Sequence, residues 1–422
     1  MGFCLTHLAP FYHNGTPQGI TSVCSAHPLV LRAALRLGRE TGATVLIEAT
    51  CNQVNHQGGY TGMQPAEFAA LAYELAQVED CPKDLIALGG DHLGPNPWRE
   101  KPAEAAMTEA EKMVAAYVGA GFCKLHLDAS MGCAGEAHAL DDATTAARAA
   151  RLARVAEDTA KLRDLAPPLY IIGTEVPPPG GADHALTTIK LTSPNAARQT
   201  LALHEEVFKK NGLSDAFARV IGLVVQPGVE FGNQNTIRYD RSKARPLSAI
   251  LNHHKQIIFE AHSTDYQGTE PLAQLVADGF PILKVGPELT FVMREALYAL
   301  DLIASDLMPD YGNRPLYTAM EALMVAQPES WNRHYGGGDA AQKTLRHYSL
   351  SDRIRYYWAT EPAQTAVTHL FDILRDRKIP LPLIWQHLPQ GDAFAGKPLV
   401  PEDVVIWRIM RALKAYQVAC GA

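Results

Sequence analysis

Ile86-Ala87-Leu88-Gly89-Gly90-Asp91-His92-Leu93-Gly94-Pro95 sets an apolar run, a glycine pair and an adjacent acid and imidazole side by side. The apolar run reads as a buried strand, Gly89-Gly90 as the point where the chain leaves the sheet, and Asp91-His92 as groups at the strand's carboxyl end. In α/β folds that end is where chemistry is done. The same unit recurs on both sides. Upstream, 20–24 and 45–50 read as strands. His27-Pro28 opens a helix with Val30, Ala33, Ala34 and Leu37 on one face, and Pro65 opens another with Phe68, Leu71, Ala72 and Leu75. Downstream, strands are predicted over 123–128, 169–176, 220–226, 256–262 and 281–285, separated by amphipathic helical stretches, with a last one over 290–307.

Apolar strands alternating with helices require parallel pairing, because each crossover helix covers a sheet face. Eight such units predict an α/β fold, a closed (β/α)8 TIM barrel over 20–310. A doubly wound sheet is the competitor, but no Gly-rich dinucleotide fingerprint follows the first strand. Residues 1–19 read as an irregular lead-in. From 311 to 422 the pattern becomes a helical C-terminal region rich in Trp, Tyr, Arg and Pro, including Ser349 to Trp358. Gly336-Gly337-Gly338 reads as a loop, since no Lys-Ser/Thr and helix follow it.

Composition narrows the function classes. The 422 residues carry 38 basic and 45 acidic side chains, a net charge of −7, with no basic block to track a phosphate backbone, so nucleic acid is not an expected partner. No apolar run approaches the ~20 residues of a membrane span and no signal-peptide pattern opens the chain, so a cytoplasmic protein without membrane contact is expected. Seven cysteines without a Cys-x-x-Cys pair point to reduced thiols.

Polar residues at barrel-strand ends converge on one mouth. This sequence offers Glu48, Asn52, Asp91, His92, His126, Asp128, Glu175, Gln226, Glu230, Glu260, His262 and Lys284. Charged groups on apolar strands are costly to bury unless partnered, so this many imply a hydrated, metal-bound or substrate-filled cavity. His126 with Asp128, and Glu260 with His262, are i, i+2 pairs that share a strand face. A satisfied core hydrogen-bond partner is the alternative role for any one of them. The three imidazoles with carboxylates are ligand types for Zn²⁺ or another divalent metal such as Mn²⁺. Such an ion would polarise a sugar carbonyl while Asp91 moves a proton. A lysine Schiff base at Lys284 is a further option.

Longer motifs carry a family resemblance. Ser22 to Pro28, Ile47-Glu48-Ala49-Thr50, Gly58 to Met63, Gly89 to Pro95, His126 to Met131, Gly173 to Pro177, Val225 to Phe231, Glu260 to Tyr266, Leu283 to Pro287 and Ser349 to Trp358 resemble the non-catalytic, Z-type subunit family of bacterial class II D-tagatose-1,6-bisphosphate aldolase. The resemblance implies an accessory subunit that stabilises a catalytic class II tagatose-bisphosphate aldolase subunit in galactitol and N-acetylgalactosamine use, itself expected as a homo-oligomer. An older label for the family, tagatose-6-phosphate kinase, finds no nucleotide-binding loop here. Some relatives are associated with metal-dependent C4 epimerisation of ketohexoses, which implies the alternative: an aldolase or epimerase acting alone on a sugar or sugar phosphate.

By resemblance to class II aldolases, Asp91 is a proton carrier with Glu175 as a second catalytic group, and His92, His262 and His126 are metal ligands. Glu48, Asn52, Asp128, Gln226, Glu230 and Lys284 are then expected against substrate. The chain departs from those aldolases after the seventh strand. There they cradle phosphate in a His-Gly-Gly-Ser-Gly-like loop, whereas His262-Ser263-Thr264-Asp265-Tyr266 presents a carboxylate that repels it.

Overall fold

Eight parallel strands close on themselves in a computed structural model that describes residues 4–173 and 189–421. In chain order the barrel strands are β1 (Ile20–Cys24), β2 (Val45–Thr50), β3 (Ile86–Leu93), β4 (Lys124–Leu127), β5 (Leu169–Gly173), β6 (Val220–Val224), β7 (Ile258–Ala261) and β8 (Ile282–Val285). Each pairs with its sequence neighbours, and β1 pairs with β8, setting Ser22 beside Lys284. The TIM barrel expected from the alternation is therefore the observed fold.

Helix boundaries follow local chemistry. His27 accepts the Leu29 N–H ahead of Pro28, opening the helix Pro28–Thr41, which ends where Gly42 takes φ of +71°. Asp141 caps Asp142–Leu162 through the Thr144 N–H, and Ser193 caps Pro194–Lys210 through that of Ala196. The helix after β8, Pro287–Leu307, starts three residues earlier than its apolar spacing suggests, with Pro287 at the first position.

Two expectations change. The glycine pair does not end the third strand, for β3 runs through Gly89 and Gly90 to Leu93. The glycines make room instead. A Cβ at Gly89 would lie 2.7 Å from Glu48 Cγ, and one at Gly90 would lie 2.7 Å from Leu93 Cδ1 and 2.8 Å from the Tyr117 ring. The lead-in is not irregular either. A 3₁₀ turn Leu5–His7 runs into the helix Leu8–His13. Leu5, Leu8 and Ala9 pack against Ile20, Leu46, Ile171, Ile258 and Ile282, giving the barrel an apolar floor at its amino-terminal end. Burying each leucine contributes about 1.5–3 kcal/mol.

The C-terminal residues return to the barrel twice. The helix Pro401–Cys420 packs against Pro28–Thr41, Pro287–Leu307 and the helix Thr269–Ala277, and the Cys420 carbonyl accepts the Gly19 N–H at 2.9 Å. Before that, Ser349 to Trp358 crosses the mouth. Tyr266 Oη donates to the Leu350 carbonyl at 2.6 Å, and Thr290 Oγ1 donates to Asp352 at 2.6 Å.

One glycine beyond β3 is decisive. A Cβ at Gly94 would stand 1.6 Å from the Asp128 carbonyl oxygen, so the β3 and β4 ends meet only because no side chain intervenes. Gly94→Ala should cost about 1–3 kcal/mol as the two segments are pushed apart, read by denaturant unfolding. Among the described residues no helix is long and apolar enough to cross a membrane.

Candidate active site

Consecutive residues of a regular strand point to opposite faces, yet Asp91 and His92 both line the mouth. The register between β3 and β4 shifts between Gly90 and Leu93, and His92 takes φ of +49°. This bulge re-aims the histidine toward its neighbour's side of the sheet. Left-handed backbone at a non-glycine residue costs on the order of 1–2 kcal/mol. Here it is held by the His92 N–H donating to His126 Nδ1 at 3.3 Å and by Asp128 Oδ2 against His92 Nδ1 at 2.8 Å.

Three imidazoles gather there, with ring centroids 4.8 Å apart for His92 and His126, 4.9 Å for His92 and His262, and 5.2 Å for His126 and His262. Each has an orienting partner, and His126 is engaged through both nitrogens. His92 is held by Asp128, His262 by Glu260 Oε1 at 2.9 Å, and His126 by the Gly173 carbonyl at 2.9 Å. Carboxylate and carbonyl partners of this kind orient metal-ligating histidines. Because a carbonyl only accepts, His126 Nε2 carries the proton and Nδ1 keeps a lone pair. That lone pair faces Asp91 Oδ1 at 3.0 Å. The His92 N–H also points at this nitrogen, and a second ring proton or a cation shared by Nδ1 and the carboxylate would favour the close approach.

Beneath the imidazoles lies a buried ionic layer. Lys124 Nζ bridges Glu48 at 2.6 Å and Glu260 at 2.7 Å. Lys284 Nζ reaches Glu48 at 3.1 Å and Glu260 at 3.4 Å and contacts Asp91 directly. Ser22 Oγ donates to Glu48 at 2.7 Å. Burial disfavours the Asp91 carboxylate, but His92, Lys284 and His126 outweigh it and hold the group well below the usual range. Burial likewise opposes charge on Lys284, and Asp91, Glu48 and Glu260 keep it protonated, with a pKa well above the ordinary lysine value. Burial and the Lys284 ammonium push the His262 imidazole down to about 3, so it is neutral at pH 7.

Ammoniums and carboxylates alone do not balance: Lys124 and Lys284 face Glu48, Glu260, Asp91 and Asp128, two positive charges short before any proton or cation on the imidazoles is counted. A divalent cation fits that deficit, and the donors suit it. One ligand atom from each of Asp91, His92, His126 and His262 lies within 4.8 Å of the others. Nitrogen and carboxylate oxygen are the atoms Zn²⁺ takes.

Above the cluster opens a cavity of about 870 Å³. Asn52, Asp91, His92, Asp128, His262 and Lys284 line it, as expected from the sequence. Glu48 and His126 lie below it, fully buried. Gln226 turns its Oε1 to the N–H groups of Gly228 and Val229, and Glu230 turns its Oε1 to the N–H of Phe231, so neither lines the cavity. Glu175 lies outside the described residues.

Reading strand ends alone missed Lys124, although its i, i+2 spacing from His126 in β4 carried the signal. It also missed Tyr60, Arg353, Arg355 and Tyr356, which line the cavity from outside the barrel strands.

Asp265 does not project into the mouth as a free carboxylate. It accepts the N–H groups of Gly286 at 3.0 Å and Glu288 at 2.8 Å, filling the N-terminus of the helix Pro287–Leu307. Burial raises Asp265 to about 6, and burial with Asp265 nearby raises Glu288 to about 7. The folded chain thus keeps protons that the unfolded chain releases near pH 4, and stability falls as pH rises from about 4 to about 7. Glu288→Gln should remove its share of that loss. Its melting temperature relative to wild type should climb between about pH 5 and pH 8, read by thermal melts across that range.

Comparison with known proteins places this geometry. The family described as D-tagatose-1,6-bisphosphate aldolase subunit GatZ/KbaZ-like matches residues 5–421. A D-tagatose 6-phosphate 4-epimerase of Agrobacterium fabrum is 56% identical over 419 residues, covering 99% of this chain and 98% of the relative. A crystal structure of a probable tagatose 6 phosphate kinase from Sinorhizobium meliloti 1021 superposes with a TM-score of 0.88 at 49% identity, over 96% of this chain and all of the other.

Proposed function

This chain belongs to the D-tagatose-1,6-bisphosphate aldolase subunit GatZ/KbaZ-like family, and from that premise we propose that it is an enzyme in its own right, a divalent-metal-dependent 4-epimerase of a ketohexose 6-phosphate. The observation that carries the reading is the convergence of three oriented imidazoles and Asp91 at the base of a cavity large enough to admit a sugar phosphate. The 56% identical relative, named as a 4-epimerase, supports the same reaction.

His92, His126 and His262 would hold Zn²⁺ or Mn²⁺, which supplies Lewis-acid polarisation of the sugar carbonyl when bound. The chain's own residues do the rest. Asp91 takes the proton from the C4 hydroxyl as the C3–C4 bond breaks, its electron pair passing to the C2 carbonyl to leave an enediolate and a C4 aldehyde. The aldehyde turns over within the cavity, C3 attacks its other face, and Asp91 returns the proton to the new C4 hydroxyl. The products are isomers, and no co-reactant is consumed. Lys284, touching Asp91, keeps that carboxylate ionised and placed, and Asn52 and Asp128 face the sugar hydroxyls. Glu48 acts by holding Lys284, Gln226 by shaping the turn after β6 and Glu230 by holding the hairpin that follows it, and Glu175 is offered as a second proton-transfer group.

The family's description as an aldolase subunit favours a second reading, support of a catalytic class II aldolase partner. One assay separates the two. The purified chain with Mn²⁺ or Zn²⁺ should interconvert tagatose 6-phosphate and fructose 6-phosphate without any partner, lose that activity to EDTA and regain it with metal. No turnover alone, together with a longer half-life for an added catalytic aldolase subunit, would favour the accessory role.

A further inference from the structure

The cavity that exposes Asp91, His92 and His262 at its base is walled on another side by Arg353, Arg355, Tyr356 and Trp358, all from the segment that crosses the mouth. A phosphorylated sugar needs a cation there, and the cations lining the cavity can be sorted by what already holds them. Lys284 is engaged by Glu48, Glu260 and Asp91. Arg99 stands at the rim 3.7 Å from the Glu100 carboxylate, its side chain half exposed. The N-terminus of Pro287–Leu307, another natural anion site, is filled by Asp265.

Arg355 is different. Its guanidinium is gripped by neutral acceptors alone: the Ser351 carbonyl, the Asp352 carbonyl at 3.2 Å and Tyr356 Oη at 2.8 Å. Among the described residues no carboxylate lies within ion-pair distance of it. The group is thus held in place with no carboxylate paired directly to it, Asp352 and Asp265 acting on it only from longer range. Arg353 stands nearby, the guanidinium carbons of Arg353 and Arg355 lying 5.6 and 4.4 Å from the Tyr356 ring centre. The segment is anchored beneath by Asp352 on Thr290 and Arg294. It is braced across the mouth by an edge-on contact of Tyr356 with Tyr60, centroids 5.0 Å apart. Trp358, on the same wall, has a buried indole N–H with no hydrogen-bond partner among the described residues.

We infer that Arg355, with Arg353 beside it, forms the phosphate subsite of the mouth and selects a ketohexose carrying a terminal phosphate over the free sugar. This deepens the epimerase reading and rests on it for the substrate class. Planar guanidinium groups bind phosphate oxygens through paired N–H donors, and pre-positioning by carbonyls and a phenol lowers the entropy lost on binding. The barrel would then supply the reacting centre, and the C-terminal residues the substrate's charge recognition.

The test uses the full metal-loaded chain and Arg355→Gln. The preference ratio, kcat/KM for tagatose 6-phosphate over that for free tagatose, should fall about 100-fold, with most of the loss in KM for the phosphorylated sugar. Calorimetric titration with inorganic phosphate should show weaker binding by about tenfold or more. Should glutamine at 355 disturb the fold, Arg355→Lys keeps the charge without the fork and should lose part of the preference. A ratio within threefold of wild type and unchanged phosphate affinity would overturn the inference while leaving the epimerase reading intact. Arg355-dependent phosphate binding by a chain that turns over neither sugar would uphold the subsite and sink the catalytic reading.

Discussion

Asp91→Asn should abolish nearly all turnover, lowering kcat by about 10²–10⁴-fold, while the protein still folds. The carboxylate contacts Lys284, lies 3.0 Å from His126 Nδ1 and lines the cavity, so it stands between the imidazoles and the space where a sugar would sit. Asparagine keeps the shape but cannot take a proton. Lys284 stays paired with Glu48 and Glu260 in the variant, so no ammonium is stranded. The check is kcat and KM on tagatose 6-phosphate beside a denaturation curve. Turnover within tenfold of wild type in a folded variant would remove Asp91 from the chemistry.

Lys124→Met should have the opposite profile, a large cost in stability before any question of rate. The ammonium is fully buried and bridges Glu48 and Glu260, which are fully buried themselves. Methionine fills similar volume but leaves those two carboxylates to share Lys284 alone. Breaking one partner out of a buried ionic network costs about 3–5 kcal/mol, because the remaining charge stays desolvated. Denaturant unfolding reads the loss directly. Adding Glu260→Gln should recover part of it, since the second change removes the stranded charge. A loss under about 1 kcal/mol would mean that water reaches the layer freely.

Much of this molecule was legible because periodicity is physical. Apolar strands alternating with amphipathic helices have few ways to bury their faces, so the barrel and its mouth followed from pattern. The local meaning of glycine did not. Gly89 and Gly90 read as a strand break, yet they are strand residues whose missing side chains admit Glu48 and Tyr117, a requirement set by neighbours distant in sequence. The lead-in carried too short an apolar pattern to show that Leu5 and Leu8 floor the barrel. In the site, the residues that cluster were on strands, where i, i+2 spacing reports facing. Gln226 lies in the turn beyond the end of β6 and Glu230 in a short antiparallel hairpin after it, where the spacing rule for barrel strands does not reach. Arg353 and Arg355 were beyond reach for another reason, since only the folded chain shows that residues more than a hundred positions past β6 cross the mouth.

The central claim, that His92, His126 and His262 form a divalent-metal centre beside Asp91, is tested most directly by elemental analysis of the purified, reconstituted chain and of His92→Ala. The account predicts about one Zn²⁺ or Mn²⁺ per wild-type chain and near none in the folded variant. Equal metal content in the two, or none in the wild type after reconstitution, would contradict it.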